Sequence, residues 1–215
     1  MRPRVFILSP ARLDGERAKM IFQPRSNFAV ASALRTRTGA PIGEVYKFLS
    51  GLYFRGKLAY ATRFATAPTK AEWMGSGALV ITTNRGLVPA ETRICLEHLE
   101  AFAETDIKET SAAFKKPLVR DAALVRDALG HDGEVVLLGS IASKKYVDPL
   151  LEVFGERLLF PSEFVGRGDM SRGGLLLRCV DASTELTYVP VKGATRKGAR
   201  PPKLPPRSRQ MSPRS

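Results

Sequence analysis

Short apolar runs that stop at small polar residues set the rhythm of this chain. Val5 to Leu8 ends in Ser9-Pro10-Ala11-Arg12, Ala78 to Thr82 in Thr83-Asn84-Arg85-Gly86, and Val135 to Leu138 in Gly139-Ser140. Four or so consecutive apolar residues between turn signals predict strands covered on both faces, as in a parallel sheet. A fourth strand is expected at Arg157 to Phe160, after a short helix from Tyr146 to Phe154. Functional groups of such sheets gather at the carboxyl ends of the strands, so the polar turns after the apolar runs are where a site is sought.

The segments between strands carry helical patterns. Residues 13 to 39 hold an amphipathic piece broken at Pro24 and ended by Thr38-Gly39, suited to crossing a sheet face. Pro41 to Ala65 is helical and amphipathic, with Val45, Phe48, Leu49 and Leu52 apolar and Lys47, Arg55, Lys57 and Arg63 basic. Gly51 and Gly56 interrupt it, each costing a helix interior about 1 kcal/mol relative to Ala. Either the helix breaks there or something approaches its backbone closely; the structural reading is a break into two helices, and the functional one is that Tyr53 and Arg55, between the glycines, face a ligand. Leu96 to Ala103 and Pro117 to Leu129 read as further helices, the second opened by its proline and ended by Gly130. Leu175 to Val180 and Glu185 to Val191, separated by Asp181-Ala182-Ser183-Thr184, read as an antiparallel hairpin. From Lys192 onward the chain is basic, proline-rich and without periodic apolar residues, which predicts disorder. The expected architecture is thus a three-layer α/β domain over residues 1–191, its mostly parallel sheet closed by a C-terminal antiparallel hairpin, with a disordered basic tail over residues 192–215.

Charge adds a partner class. The formal net charge is +13, unevenly placed: residues 1–63 hold 12 basic and 3 acidic side chains, residues 64–191 hold 14 and 18, and the last 24 residues hold 8 and none. A basic face and a basic tail favour polyanions through phosphate neutralisation and counterion release, and nucleic acid is the common one; a solubilising tail accounts for the same charge equally well. No apolar run approaches a membrane span, and the apolar core of the first residues is shorter than a signal peptide requires, so the expectation is a cytoplasmic protein with no membrane partner. Cys95 and Cys179 lack neighbouring His or Cys at ligand spacing, so neither a disulfide framework nor a zinc site is indicated, and no cofactor is expected. His98, among acidic neighbours on a short amphipathic helix, reads as a surface or boundary residue.

Candidate chemistry sits in the turns. Gly139 to Lys145 joins a strand to a helix and offers backbone N–H groups, the Ser140 and Ser143 hydroxyls and the Lys144 ammonium to a phosphate near the positive helix end. The segment is neither a Walker motif nor a dinucleotide fingerprint, and a plain strand-to-helix turn explains it as well. Gly166 to Gly174 is the densest candidate. Its four glycines permit positive φ or close backbone approach to a ligand, Arg167 and Arg172 can fork onto phosphate or carboxylate, and Asp169 is either a general base or their ion-pair partner. Asn84 and Arg85 are a base-reading pair or simple turn chemistry. Ser9 and Arg12, after the first strand, complete the expected rim.

The order VFILSPA, LYFRGKLAYATRFA, ALVITTNRGLVPAETRI resembles a pattern in YaaA-like and related uncharacterised bacterial proteins over about residues 5–94. That resemblance implies a uracil-DNA-glycosylase-like α/β fold and an association with nucleic-acid or nucleotide chemistry. It carries over Leu52, Tyr53, Phe54, Tyr60, Ala61, Gly86 and Leu87 as pocket-shaping positions and transfers no catalytic residue. The leading expectation is a nucleotide- or nucleic-acid-binding protein acting on an N-glycosidic or phosphate-bearing substrate, with Asp169 orienting or activating water. The rivals are a non-enzymatic basic module docking on RNA, DNA or an acidic partner, and a small-molecule enzyme using the same phosphate cradle.

Overall fold

A computed structural model describes residues 2–107, 111–195 and 198–205. Four apolar runs become parallel strands: β1 (Arg4–Leu8), β3 (Ala78–Ile81), β6 (Glu134–Leu138) and β7 (Leu158–Pro161). β4 (Leu87–Pro89) and β8 (Tyr188–Pro190) pair antiparallel at the two edges, giving the order β4-β3-β1-β6-β7-β8. A separate two-stranded ribbon joins β2 (Ala40–Pro41) to β5 (Arg93–Ile94).

Alternate residues of the central strands feed two cores, as strand pleating requires. Phe6, Leu8, Val136 and Leu138 face one layer, built from α1 (Glu16–Phe22), α2 (Ala29–Leu34), α3 (Ile42–Ser50), α4 (Leu52–Phe64), α5 (Leu96–Glu104) and α8 (Asp169–Ala182). Val5, Ile7, Val135 and Leu137 face the other, built from α6 (Ala112–Leu129) and α7 (Lys144–Phe154). The protein is a three-layer α/β fold with a mostly parallel sheet. Strands covered on both sides need apolar residues at every position, which is why the uninterrupted runs located them.

Two expectations change. Residues 175–180 are not a hairpin strand but the middle of α8. Gly173, Leu176 and Leu177 are its buried positions, a spacing of three and four that belongs to a helix, and three successive leucines satisfy either period. The antiparallel partner of β8 is β7, with Phe160 opposite Val189, so the sheet still ends antiparallel. The helix assigned to Pro117 begins at Ala112, and Pro117 lies within it. The 41–65 segment does break, at Gly51, whose φ of +61° disfavours any side chain there.

Gly56 remains inside α4, because α4 and α8 touch backbone to backbone. A Cβ at Gly56 would lie 2.6 Å from the Gly173 carbonyl oxygen, and one at Gly173 would lie 2.7 Å from the Leu52 carbonyl oxygen and 2.8 Å from Tyr53 Cα. The second helix-long consequence is at the C-terminal edge. Tyr60 on α4 accepts a hydrogen bond from the Leu186 N–H and meets the Tyr188 hydroxyl at 2.6 Å, tying β8 to α4. Burial raises the Tyr60 phenol to about 12, so this link keeps its protons throughout the physiological range. Of the tail, residues 192–195 and 198–205 carry no helix or strand, and the Arg178 guanidinium donates to the Pro205 carbonyl. The remaining positions of the expected disordered tail, 196, 197 and 206–215, lie outside the described residues.

Gly56→Val and Gly173→Val are each expected to lower unfolding free energy by about 1–3 kcal/mol or more, because neither helix backbone can yield without moving the other. Chemical denaturation measures this; an unchanged midpoint in both variants contradicts the close helix contact.

Candidate functional site

The connections on either side of β1 leave from opposite faces of the sheet. α1 to α4 carry the chain from β1 to β3 over one face, and α7 carries it from β6 to β7 over the other. Helices that diverge this way leave a crevice beyond the carboxyl ends of β1 and β6, the place where doubly wound sheets bind ligands. A cavity of about 1230 Å³ occupies it.

At its floor Ser9 follows β1 and Gly139 follows β6. The Ser9 N–H donates to the Leu138 carbonyl at 3.2 Å, so the two strand ends are held together one residue beyond the ladder. Gly139 must be small: a Cβ there would lie 2.9 Å from Ser9 Cβ, 3.1 Å from Ser9 Oγ and 3.3 Å from Tyr146 Oη. The Tyr146 hydroxyl donates to the Ser140 carbonyl at 3.1 Å, burial raises its pKa, and Ser9 and Ser143 lie near enough to oppose that rise.

The unusual group is Lys57, on α4. Only 1% exposed, its Nζ donates to the Ser9 carbonyl at 2.7 Å and lies 2.9 Å from Ser9 Oγ. The ring centroids of Tyr53 and Phe54 are 4.6 and 4.7 Å away, so two aromatic faces take the place of solvent around the amine. No carboxylate is within ion-pair distance of Nζ among the described residues. Burial therefore lowers the Lys57 pKa from 10.5 to about 7; the more distant Asp169 charge opposes this shift and Arg172 reinforces it. Beside it the Tyr53 hydroxyl is buried with no well-aligned hydrogen bond among the described residues, the Arg172 guanidinium being the polar group that faces it, and Tyr53 lines the cavity.

Of the residues expected from sequence, Ser9, Arg12, Tyr53, Ser140, Ser143 and Asp169 border this one cavity. Arg12 stands exposed, paired with Asp14 at 2.8 Å. Asp169 is the first residue of α8 rather than part of a ligand loop; largely exposed, it lies 3.6 Å from Arg172. Five expected residues are elsewhere. Arg172 turns inward and donates to the Phe164 carbonyl at 3.1 and 3.2 Å, while Arg167 donates to the Glu163 carbonyl and to Ser171 Oγ. Both guanidiniums fasten the start of α8 to the preceding turn. The Asn84 amide donates to the Ala101 carbonyl and to Thr105 Oγ1, securing the end of α5, and Arg85 is exposed on the β3–β4 turn away from the cavity. Lys144 is exposed, and its neighbour Lys145 borders the cavity instead, since successive helical residues point about 100° apart. Two of the four glycines in residues 166–174 serve the fold: Gly166 supplies a φ of +72° in the turn, and Gly173 admits α4.

Lys57 was legible by its period. It stands four residues after Tyr53, three after Phe54 and three before Tyr60, in the apolar row of α4, where a basic residue is out of place. In comparisons with protein-family models, curated proteins and solved structures, nothing matches this chain.

The Lys57 shift fixes a pH dependence. The group titrates near 7 when folded and at its ordinary 10.5 when unfolded, so between these values the unfolded chain holds more protons and folding stability rises with pH. Below about 7 the burial cost is fully present; above about 10.5 it has vanished. Lys57→Met removes this dependence. The stability of the variant minus that of wild type, from denaturation at about pH 6 to 10, is expected to fall as pH rises, by on the order of a few kcal/mol. A difference that stays constant with pH contradicts a buried, depressed amine.

Proposed function

We propose that the cavity binds a phosphate-bearing ligand of nucleotide size, either a free nucleotide or the end of a nucleic-acid strand. The observation that carries this reading is the position and size of the cavity. About 1230 Å³ at the switch point of a doubly wound sheet exceeds what a single small metabolite fills. Its lining matches the ligand. The α7 N-terminus, with Ser143, Lys145 and Tyr146 on the cavity wall, offers N–H groups, a hydroxyl and an ammonium to a phosphate. The Tyr53 hydroxyl supplies a desolvated polar group that a bound ligand satisfies. The resemblance of residues 5–94 to YaaA-like proteins, with its association with nucleotide chemistry, agrees with this reading.

A specific feature favours a second reading, docking on an extended polyanion. A smaller groove of about 490 Å³ lies beside α4 and α8, bordered by Arg55, Arg167, Arg178, Arg200 and Lys203. Arg200 and Lys203 come from the tail, so the groove joins the basic α4 surface to the basic end of the chain. A cationic groove of this kind serves phosphate backbones without base contacts.

Fluorescence anisotropy with nucleoside monophosphates and diphosphates, short single strands and duplexes separates the two. Lys145→Glu is expected to weaken nucleotide binding at least tenfold while leaving duplex binding unchanged; Arg55→Glu with Arg178→Glu is expected to do the reverse and to flatten the salt dependence by about 0.7–0.9 logarithmic units per lost contact. Failure of every phosphate-bearing ligand to bind wild type overturns the cavity reading.

A further inference from the structure

We propose that Ser9 is a nucleophile, that Lys57 is its general base, and that the cavity transfers or hydrolyses an acyl group carried by a phosphate-bearing ester. The substrate class rests on the cavity reading above; the dyad rests on its own geometry. Nucleophilic catalysis needs a hydroxyl, a base in hydrogen-bond reach of it, and a third group that orients the base. All three are present. Ser9 Oγ is 2.9 Å from Lys57 Nζ, and the Ser9 carbonyl, accepting from the same Nζ at 2.7 Å, fixes the direction of the amine. Ser9 sits at the end of a rigid central strand and borders the cavity, so its hydroxyl is both held and reachable.

A purely structural lysine would account for only part of this. Capping the Ser9 carbonyl requires one N–H donor, and an ammonium placed among Tyr53, Phe54 and the strand ends carries a desolvation cost that a neutral donor avoids. Desolvation leaves a large fraction of Lys57 neutral near pH 7, the state a base requires. The titratable and charged groups around it are Tyr53 on its own helix, Tyr146 from α7, and Asp169 and Arg172 from α8. The two tyrosines are held protonated by burial, so Lys57 is the group in this cluster that changes charge near neutrality.

The electrophile is a carbonyl carbon. One ammonium beside Ser9 matches the single negative charge of a tetrahedral acyl intermediate, whereas a phosphoryl group in transfer spreads its charge over three equatorial oxygens. Lys145, on the rim, is then free for the phosphate of the carrier. As Ser9 Oγ bonds to the carbonyl carbon, its proton passes to Lys57 Nζ. The tetrahedral intermediate collapses by breaking the bond from carbon to the leaving oxygen, which takes that proton. Water then attacks the acyl-serine, its proton moving through Nζ to Ser9 Oγ as the ester bond breaks. The net change is ester plus water giving acid plus alcohol, with no change in oxidation state.

The test uses the full chain and p-nitrophenyl acetate, with rapid quenching and peptide mapping by mass spectrometry. Acetyl transfer to Ser9 is expected, with a rate that rises sigmoidally around pH 7, falls at least a hundredfold in Lys57→Met and is not rescued by Lys57→Arg, whose guanidinium stays charged. Ser9→Ala is expected to lose the adduct. Acetylation confined to lysines, or a Ser9 rate indifferent to pH and to Lys57→Met, overturns the dyad; the wild-type map and pH profile decide this even where a variant folds poorly. Protection of Ser9 by a bound nucleotide supports both readings. Acetylation of Ser9 that no phosphate-bearing ligand slows overturns the substrate class and leaves the dyad standing. Nucleotide binding without Ser9 acetylation does the opposite.

Discussion

The amine of Lys57, buried between two aromatic rings and hydrogen-bonded to Ser9, is the contact on which the rest of the arrangement depends. A lysine stem reaches only a few ångströms, so α4 must lie close over the carboxyl end of β1 for the contact to exist. On its other side the glycine pair of Gly56 and Gly173 lets α8 settle against α4 with no side chain between their backbones. Tyr60, one turn further along α4, anchors the same helix to β8 through Tyr188 and the Leu186 N–H. One helix thus carries the buried cation, the close contact that covers it and the link that closes the sheet edge.

The topology supplies the other half of the site. Because the chain leaves the sheet on opposite faces beside β1, no helix fills the space above the ends of β1 and β6. Gly139 lets the two strand ends and α7 come together beneath it, since a single methyl group there would meet Ser9 and Tyr146 together. Four features that look unrelated in sequence, a serine after the first strand, a glycine after the third apolar run, a tyrosine on the following helix and a lysine in the segment between, meet within one cavity wall. The Tyr53 hydroxyl beside them makes no well-aligned hydrogen bond, with only the Arg172 guanidinium facing it, so it is a buried polar group open to a better partner.

Much of the fold was legible because central parallel strands must be apolar at every position, so Val5 to Leu8, Ala78 to Thr82 and Val135 to Leu138 announce themselves, and of the polar residues that end them Ser9, Arg12, Thr83 and Ser140 border the cavity. The loop from Gly166 to Gly174 misled for a physical reason. Glycine and arginine have the same composition signature whether the glycine admits a ligand or a neighbouring helix, and whether the arginine grips phosphate or a peptide carbonyl. Gly173 admits α4, and Arg172 grips the Phe164 carbonyl. Both uses depend on which element lies opposite, and that is fixed by tertiary structure. Lys57 was hidden differently: it reads as one more cation on a basic amphipathic helix unless its phase against Tyr53, Phe54 and Tyr60 is counted.

Net charge and site chemistry are therefore separate properties of this chain. Its excess of arginine and lysine lies largely on exposed surfaces, including the α4–α8 groove and the tail beside it, where water screens each charge and only their number matters. The cavity is mixed in sign: Arg12, Arg17 and Lys145 border it together with Asp14, Glu16, Glu104 and Asp169. A formal count weighs Lys57 the same as any exposed arginine, yet among the described residues it is the one cation placed where water is excluded by aromatic rings and strand ends. Removing solvent weakens its hold on a proton and strengthens every electrostatic contact it makes, and both effects act on a single neighbouring hydroxyl. The basic surface can bring a polyanion to the molecule by long-range attraction, but bond-making requires a group that can both take and return a proton near neutrality. In this fold the desolvated amine beside Ser9 meets that requirement, and it does so because of its burial rather than because of the charge that surrounds it.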